Sequence, residues 1–298
     1  MNWLGHPRSI AAGLLESNGH AALIDPGPSS ALPALRERLR ARGLSVGDLE
    51  AILLTHIHLD HAGATGTLVR GNPRLLVYAH AVGTPHLANP ARLLLSAGRL
   101  YGSDMQRLFG EFLPVPQENL RALSGGETLS IGTRRLEVVY TPGHAAHHVS
   151  YFDAAEGLAF VGDTTGIRME GDAYVFPVAP PPDIDLEVWE PSLAAISMRR
   201  PARLFLTHFG FSDDPAAHIE QFRERLHRWA ALVRDLLRAS SDEPAALASF
   251  VGSVRAELEH RLPGPEFAHY LFICGLDLSW LGLARYWRKR GEQPPASR

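Results

Sequence analysis

The chain has 298 residues, 29 Lys and Arg against 32 Asp and Glu, and a formal net charge of −3. With 45% apolar and 20% charged residues it excludes disorder over most of its length and supplies core for one large or two modest domains. The near-neutral balance gives no general field for nucleic acid or an anionic membrane. A single cysteine, Cys274, leaves no internal disulfide to form. The first residues, Met1-Asn2-Trp3-Leu4-Gly5-His6-Pro7-Arg8, lack the apolar stretch of a signal peptide, and the expected compartment is a reducing cytoplasm.

In chain order, residues 9–15 and 20–24 predict two strands joined as a hairpin at Ser17-Asn18-Gly19, and residues 33–42 a helix. Ala51-Ile52-Leu53-Leu54 is a short continuous apolar run before a polar, histidine-rich segment. It predicts a buried strand whose C-terminal end opens into a loop. Further strands are expected at 74–78, 135–140, 149–152, 158–161 and 203–206, enough for two sheets. Residues 79–126 break this rhythm with helical patches over 91–112 and with Pro85, Pro90, Pro114 and Pro116, and read as an inserted cap. After Asp214 as N-cap and Pro215 in the first turn, Ile219, Phe222, Leu226, Trp229, Val233 and Leu236 recur at helical steps. Two more helices, at 244–261 and 266–290, flank Pro263-Gly264-Pro265, and the tail after Gly291 is expected to fray. Residues 270–283 are apolar but shorter than the roughly 20 residues of a spanning helix, and carry Asp277. They are expected in the core or at a subunit interface.

The chemistry concentrates in Thr55-His56-Ile57-His58-Leu59-Asp60-His61, which sets three imidazoles and a carboxylate within six residues after a strand. His56 and His58, two apart in an extended turn, can point one way, while Asp60 and His61 open a helix and can face a neighbouring point. Neutral imidazole and carboxylate suit zinc, iron or manganese. Two adjacent metal positions need more ligands, and three further candidates also sit at strand ends. These are His144 in Thr141-Pro142-Gly143-His144, Asp163 in Phe160-Val161-Gly162-Asp163, and His208 in Leu206-Thr207-His208.

In this His-x-His-x-Asp-His pattern, followed by a His after Thr-Pro-Gly, then Asp, then His, the sequence resembles the metallo-β-lactamase superfamily, in particular its glyoxalase II-like branch. All seven positions match, over about residues 9–211. The resemblance implies an α+β fold, a four-layer αββα sandwich of two mixed sheets with helices on both outer faces and the metal site where strand ends meet. It also implies a catalytic domain over 1–212, including the insert, and a C-terminal helical region over 213–298. By position, His56, His58 and His144 resemble the ligands of a first metal, and Asp60, His61 and His208 those of a second. Asp163 resembles the bridging carboxylate. Two divalent ions are implied, zinc first, with iron or manganese as alternatives, and Asp60 and Asp163 are also the catalytic carboxylates. A metal-bridging hydroxide would then cleave an ester, lactone, thioester or phosphoester of a small molecule.

Two other functions stay open. Persulfide dioxygenases of the superfamily use one iron at the positions matching His56, His144 and Asp163, and other members are nucleases, although the net charge argues against a general phosphate surface. The expected partner is a small molecule, with no nucleic acid and no membrane; a homodimer remains open. Where the family commonly has Thr-Pro-Gly-His-Thr-x-Gly-His, this chain has His147 in place of the last glycine, either a proton carrier or a residue behind the ligands. His148 reads as structural. Asp25, in Asp25-Pro26-Gly27, is either an anchor for the site or simply a turn. The insert, the C-terminal helices and a loop over 166–182 are expected to cover the metal site, with Leu93, Leu94, Tyr101, Leu108, Phe112, Tyr174 and Phe176 as candidate pocket residues; a dimer interface built by insert and tail is the alternative, and core packing is another for Tyr101, Tyr174 and Phe176. His80 and His86 read as loop histidines, and Cys274 as a small buried hydrophobe.

Overall fold

The computed structural model describes residues 1–169, 174–262 and 264–291. The first sheet has the order β1-β2-β3-β4-β5: β1 (Gly13–Ser17), β2 (His20–Ile24), β3 (Ala51–Leu53), β4 (Leu76–His80) and β5 (Leu120–Leu123). Its β1–β2 pair is antiparallel and the rest parallel. The second runs β11-β10-β9-β8-β7-β6: β6 (Thr128–Ile131), β7 (Arg134–Tyr140), β8 (Val149–Asp153), β9 (Leu158–Gly162), β10 (Arg203–Leu206) and β11 (Gly210–Ser212). Only its β9–β10 pair is parallel. Both sheets are mixed.

Side-chain alternation on the strands sorts the layers. Ala22, Ile24, Ala51 and Leu53 meet Leu136, Val138, Tyr151 and Phe160 between the sheets. Their sequence neighbours Ala21, Leu23 and Ile52 face the other way, onto Leu35 and Leu39 of α1 (Leu32–Ala41) and Leu68 of α3 (Thr65–Gly71), which follows the short α2 (Leu59–Ala62). On the far side Ala159, Val161, Leu204 and Leu206 pack with Trp189 and Leu193 of α7 (Leu186–Met198) and Phe222 and Leu226 of α8 (Pro215–Ala239). This is the expected four-layer arrangement, and strands covered on both faces explain the unbroken apolar runs. The same outer core continues into α9 (Glu243–Arg261), α10 (Gly264–Cys274) and α11 (Leu276–Gly291) through Phe250, Val254, Trp280 and Leu283.

Several elements depart from expectation for local reasons. The hairpin turns at Asn18 and Gly19, both at positive φ, but β1 begins only at Gly13. Residues 9–12 run instead to the loop after β10, where Ala11 N–H donates to the Thr207 carbonyl (2.8 Å). The segment read as an insert contains β5, which pairs with β4; its exposed Arg121 and Ala122 hide it from an apolar-run reading. Between β4 and β5 lie α4 (Thr84–Ala88), α5 (Ala91–Tyr101) and α6 (Met105–Phe109). Helix α7 carries Pro191 inside it, and the expected helix over 266–290 is two, broken at Gly275, where φ is +43°. Among the described residues no single helix is long and apolar enough to cross a membrane. Phe267–Cys274 and Leu276–Gly291 pass such a test only together, bent by 47°, and Tyr270, Trp280 and Leu283 within them are buried core. The expected frayed tail after Gly291, Pro263 of the break, and residues 170–173 of the 166–182 loop lie outside the described residues.

Candidate metal centre

The C-terminal ends of β2, β3, β7, β9 and β10 meet, and the segments that leave them bring all seven predicted side chains to one place. His56, His58 and His144 present ligand atoms within 4.8 Å of one another; so do Asp60, His61 and His208; and so do His56, His61 and Asp163. Asp163 faces both trios. Its Oδ1 lies 3.4 Å from His61 Nε2 and 3.9 Å from His208 Nε2, and its Oδ2 lies 3.8 Å from His144 Nε2.

Local sequence explains how the loops hold this shape. Gly143, at φ +136°, lies under Trp189, and a Cβ there would come within 2.3 Å of the indole. Trp189 in turn donates its Nε1–H to the Thr164 carbonyl (2.7 Å), so one buried indole steadies both the His144 and the Asp163 loops. Gly162, at φ +49°, turns the chain from β9 into Asp163, where a Cβ would meet Thr55 Oγ1 at 2.5 Å and His148 Nε2 at 2.7 Å. Only glycine fits either place. Tyr151 reaches across the sheets to donate to the Leu54 carbonyl (2.7 Å), fixing the strand end just before His56.

The outward ring nitrogens are anchored. His144 Nδ1 donates to the Val178 carbonyl (2.9 Å) and His208 Nδ1 to the Ser9 carbonyl (2.7 Å). Asp25 holds the rest. It is buried at φ +47° and accepts from Thr55 N–H (2.8 Å), Thr55 Oγ1 (2.6 Å), Thr207 Oγ1 (3.0 Å) and His61 Nδ1 (2.9 Å). Since the Thr55 hydroxyl spends its proton on Asp25, its oxygen accepts from His56 Nδ1 (3.0 Å). The network therefore assigns lone pairs to the inward Nε2 atoms, the tautomer that suits cation ligation. Asp25 is an anchor, not merely a turn.

The donors fit a cation. His58 Nδ1 lies 3.0 Å from both His56 Nε2 and His144 Nε2, and one proton on it satisfies only one of two lone pairs. His61 Nε2 and Asp163 Oδ1 are buried without a well-formed hydrogen bond, an arrangement that costs free energy unless something of positive charge stands between. The electrostatics agree. Burial and neighbouring imidazoles hold His56 and His58 well below the usual histidine range. At His61 burial is outweighed by Asp163, Asp60 and Asp25, which push it well above. Asp60 is lowered to about 2, because His61 and His208 overcome the cost of its burial. In the bare cluster protons on His61 and His208 balance these carboxylates; a dication held there would displace them and leave neutral rings and ionised carboxylates, a ligand set for hard or borderline dications.

Of the further candidates, His148 donates to or accepts from Thr141 Oγ1 (2.9 Å) and stacks behind His56, the structural role expected. His147 is buried beside His56 and His58 and accepts from Ile57 N–H (3.4 Å); burial and nearby imidazoles bring it to about 3, so it sits behind the ligands as a neutral ring. His80 stacks on Tyr140 (4.3 Å). Leu93 and Tyr101 line the pocket that opens on Asp60, Asp163 and His208. Tyr174 and Phe176 do not. The first stacks over Arg225 and donates to Glu257 (3.1 Å), and the second packs on Trp229, because the 174–176 stretch turns into the outer helical core. Leu94, Leu108 and Phe112 pack in the small cluster around Trp3 and Phe109 rather than on that wall. Sequence reading missed Trp189, since no local pattern marks a residue that meets its partners only in the fold, whereas the opposite pocket wall, Pro180–Pro182 with Ile273 and Leu278, comes from the 166–182 loop and the C-terminal helices, expected there without these residues being named. Cys274 is buried as expected and also borders this pocket.

A four-layer αββα sandwich with a His/Asp cluster at its strand ends defines the class. The chain matches the model of the metallo-β-lactamase superfamily over residues 6–208 and belongs to that superfamily. The hydroxyacylglutathione hydrolase of Aeromonas hydrophila is 32% identical over 151 residues, 51% of this chain and 44% of that one, so the match spans under half of that relative. A metallo-β-lactamase superfamily protein of the archaeon Sulfolobus tokodaii shares the fold with a TM-score of 0.66 at 22% identity, over 93% of each chain. TTHA1623, solved in a di-iron-bound form, is 28% identical with a TM-score of 0.52, over 74% of this chain and 94% of its own.

Proposed function

We propose that the chain is a metal-dependent hydrolase whose site takes a pair of divalent cations and cleaves an ester, lactone, thioester or phosphoester of a small molecule. The observation that carries the pair is Asp163, whose two oxygens are turned toward different trios, Oδ1 toward His61 and Oδ2 toward His144. The di-iron-bound form of TTHA1623 and the hydrolase named among the relatives support the same reading. In this reading His56, His58 and His144 hold one cation, Asp60, His61 and His208 the other, and Asp163 both; zinc is the first candidate, iron or manganese the alternatives. Cations so held lower the pKa of water and polarise a carbonyl or phosphoryl oxygen.

The protein's own residues do the rest. Asp25, the Val178 carbonyl and the Ser9 carbonyl orient the rings, so that no ligand has to reorganise as charge develops. Asp60, whose side chain is 27% exposed where Asp163 is 4%, stands at the solvent side of the site. Kept ionised by His61 and His208, it is the carboxylate placed to accept a hydrogen bond from an incoming water and orient it. The test is metal content by mass spectrometry, with hydrolysis assays over ester, lactone, thioester, phosphodiester and β-lactam substrates on fully metallated protein. Metal-dependent turnover of one of these supports the reading, and none across the panel contradicts it.

A further inference from the structure

We propose that the pocket over the metal centre selects an uncharged acyl substrate with an apolar leaving or acyl group, and disfavours the glutathione thioesters, with their two carboxylates, implied by the names of the relatives. The proposal rests on the hydrolase reading above and names its substrate class.

The pocket has a polar floor and an apolar wall. Its floor is His58, Asp60, Asp163 and His208; its wall comes from α5 and α6 on one side and from α10, α11 and the Pro180–Pro182 turn on the other, through Leu93, Leu100, Phe109, Ile273 and Leu278. Among the described residues that line it, none is Lys or Arg. A carboxylate carried into such a wall loses hydration and gains no counter-charge, which is costly. Cations at the floor can pair only with the part of the substrate that reacts, not with charges several bonds away. Asp60, Asp277 and Asp163 stand near Tyr101 on that wall; the cations would answer Asp60 and Asp163, which leaves Asp277, a charge of the sign that repels an anion.

What the wall does offer is neutral polarity. Tyr101 lies on it with its ring edge-on to Phe109 (4.9 Å), and its hydroxyl has no protein partner among the described residues. Burial and those carboxylates keep it protonated well past neutral pH, so it can donate to the oxygen of a neutral ester. Ser96 and Ser279 add hydroxyls. Few polar groups on an apolar wall are the usual make-up of a site for uncharged small molecules.

The direct test holds bond and acyl group constant and varies the thiol, short and neutral in one substrate and twice carboxylated in the other, while arginine variants of the wall separate the effect of charge from that of size. Fully metallated protein is assayed with S-butyryl-N-acetylcysteamine and with S-butyrylglutathione. The proposal expects kcat/KM for the neutral thioester to exceed that for the glutathione thioester by at least tenfold. It also expects Leu93→Arg, with Leu278→Arg as a second site should the first misfold, to narrow that ratio at unchanged metal content. Equal or greater kcat/KM for S-butyrylglutathione overturns the pocket assignment while leaving the hydrolase reading intact. No turnover of either thioester, nor of 4-nitrophenyl butyrate or a δ-lactone, overturns the substrate class, and if phosphodiester and β-lactam substrates also fail the hydrolase reading falls with it.

Discussion

The floor and the wall of the pocket are built on opposite plans. On the floor, nearly every functional atom is fixed from behind, His144 and His208 by backbone carbonyls and His56 and His61 through Asp25. The wall has few directional bonds and is assembled from side chains such as Leu93 and Leu278, far apart in the chain and held by packing. The difference teaches where each property can vary: chemistry depends on a hydrogen-bonded frame that tolerates little change, whereas selectivity rests on apolar contacts that repack at modest cost.

Breaking the floor should have the largest effects. Asp163→Ala removes the group turned toward both trios, and activity should fall to background, measured on protein whose fold is checked by circular dichroism. Retained activity would remove Asp163 from the machinery. Asp25→Asn keeps the shape of the anchor but not its charge, and metal affinity, read by competition with a chelator, should drop by about 10- to 100-fold; affinity unchanged within a factor of two would make Asp25 a turn residue after all. On the wall, Tyr101→Phe should lower kcat/KM for a neutral ester by about three- to tenfold, the worth of one hydrogen bond, with metal content unmoved. A loss of metal instead would place Tyr101 with the floor.

The smallest effect lies outside the pocket. His218 on α8 is buried and bonded through Nε2 to the Thr165 carbonyl (2.9 Å), and burial holds it down to about 4 from an ordinary 6.5. The folded state thus favours the neutral ring. Its contribution is complete above about pH 6.5 and is lost as pH falls toward 4, because the unfolded chain binds the extra proton. Denaturant unfolding of His218→Gln against the parent should show a shallower acid loss, by at most about 1.4 kcal/mol per pH unit in that window. Parallel curves would show that His218 does not titrate on unfolding.

The same contrast explains what the sequence disclosed. His56, His58, Asp60 and His61 lie within six residues, and His144, Asp163 and His208 each follow a recognisable strand, so local pattern sufficed to collect the floor. Strands β2, β3, β8 and β9 were legible because each is buried over nearly its whole length and reads as an apolar run. Strands β5, β6 and β11 were not, since each is short and carries exposed residues, and α7 was masked by Pro191. The wall was half legible: Leu93 and Tyr101 were named, but Tyr174 and Phe176 were aromatics without register, and the core claimed them. Trp189 carries no mark in its neighbourhood; only the fold sets it over Gly143.

The central claim is that seven side chains form one two-cation site shared through Asp163. The number of metal ions per chain, measured by mass spectrometry on reconstituted parent and Asp163→Asn protein after removal of loosely bound metal, tests it most directly. The account predicts two per chain in the parent and loss at both positions in the variant. One ion per chain in the parent, or two that survive in the variant, would contradict it.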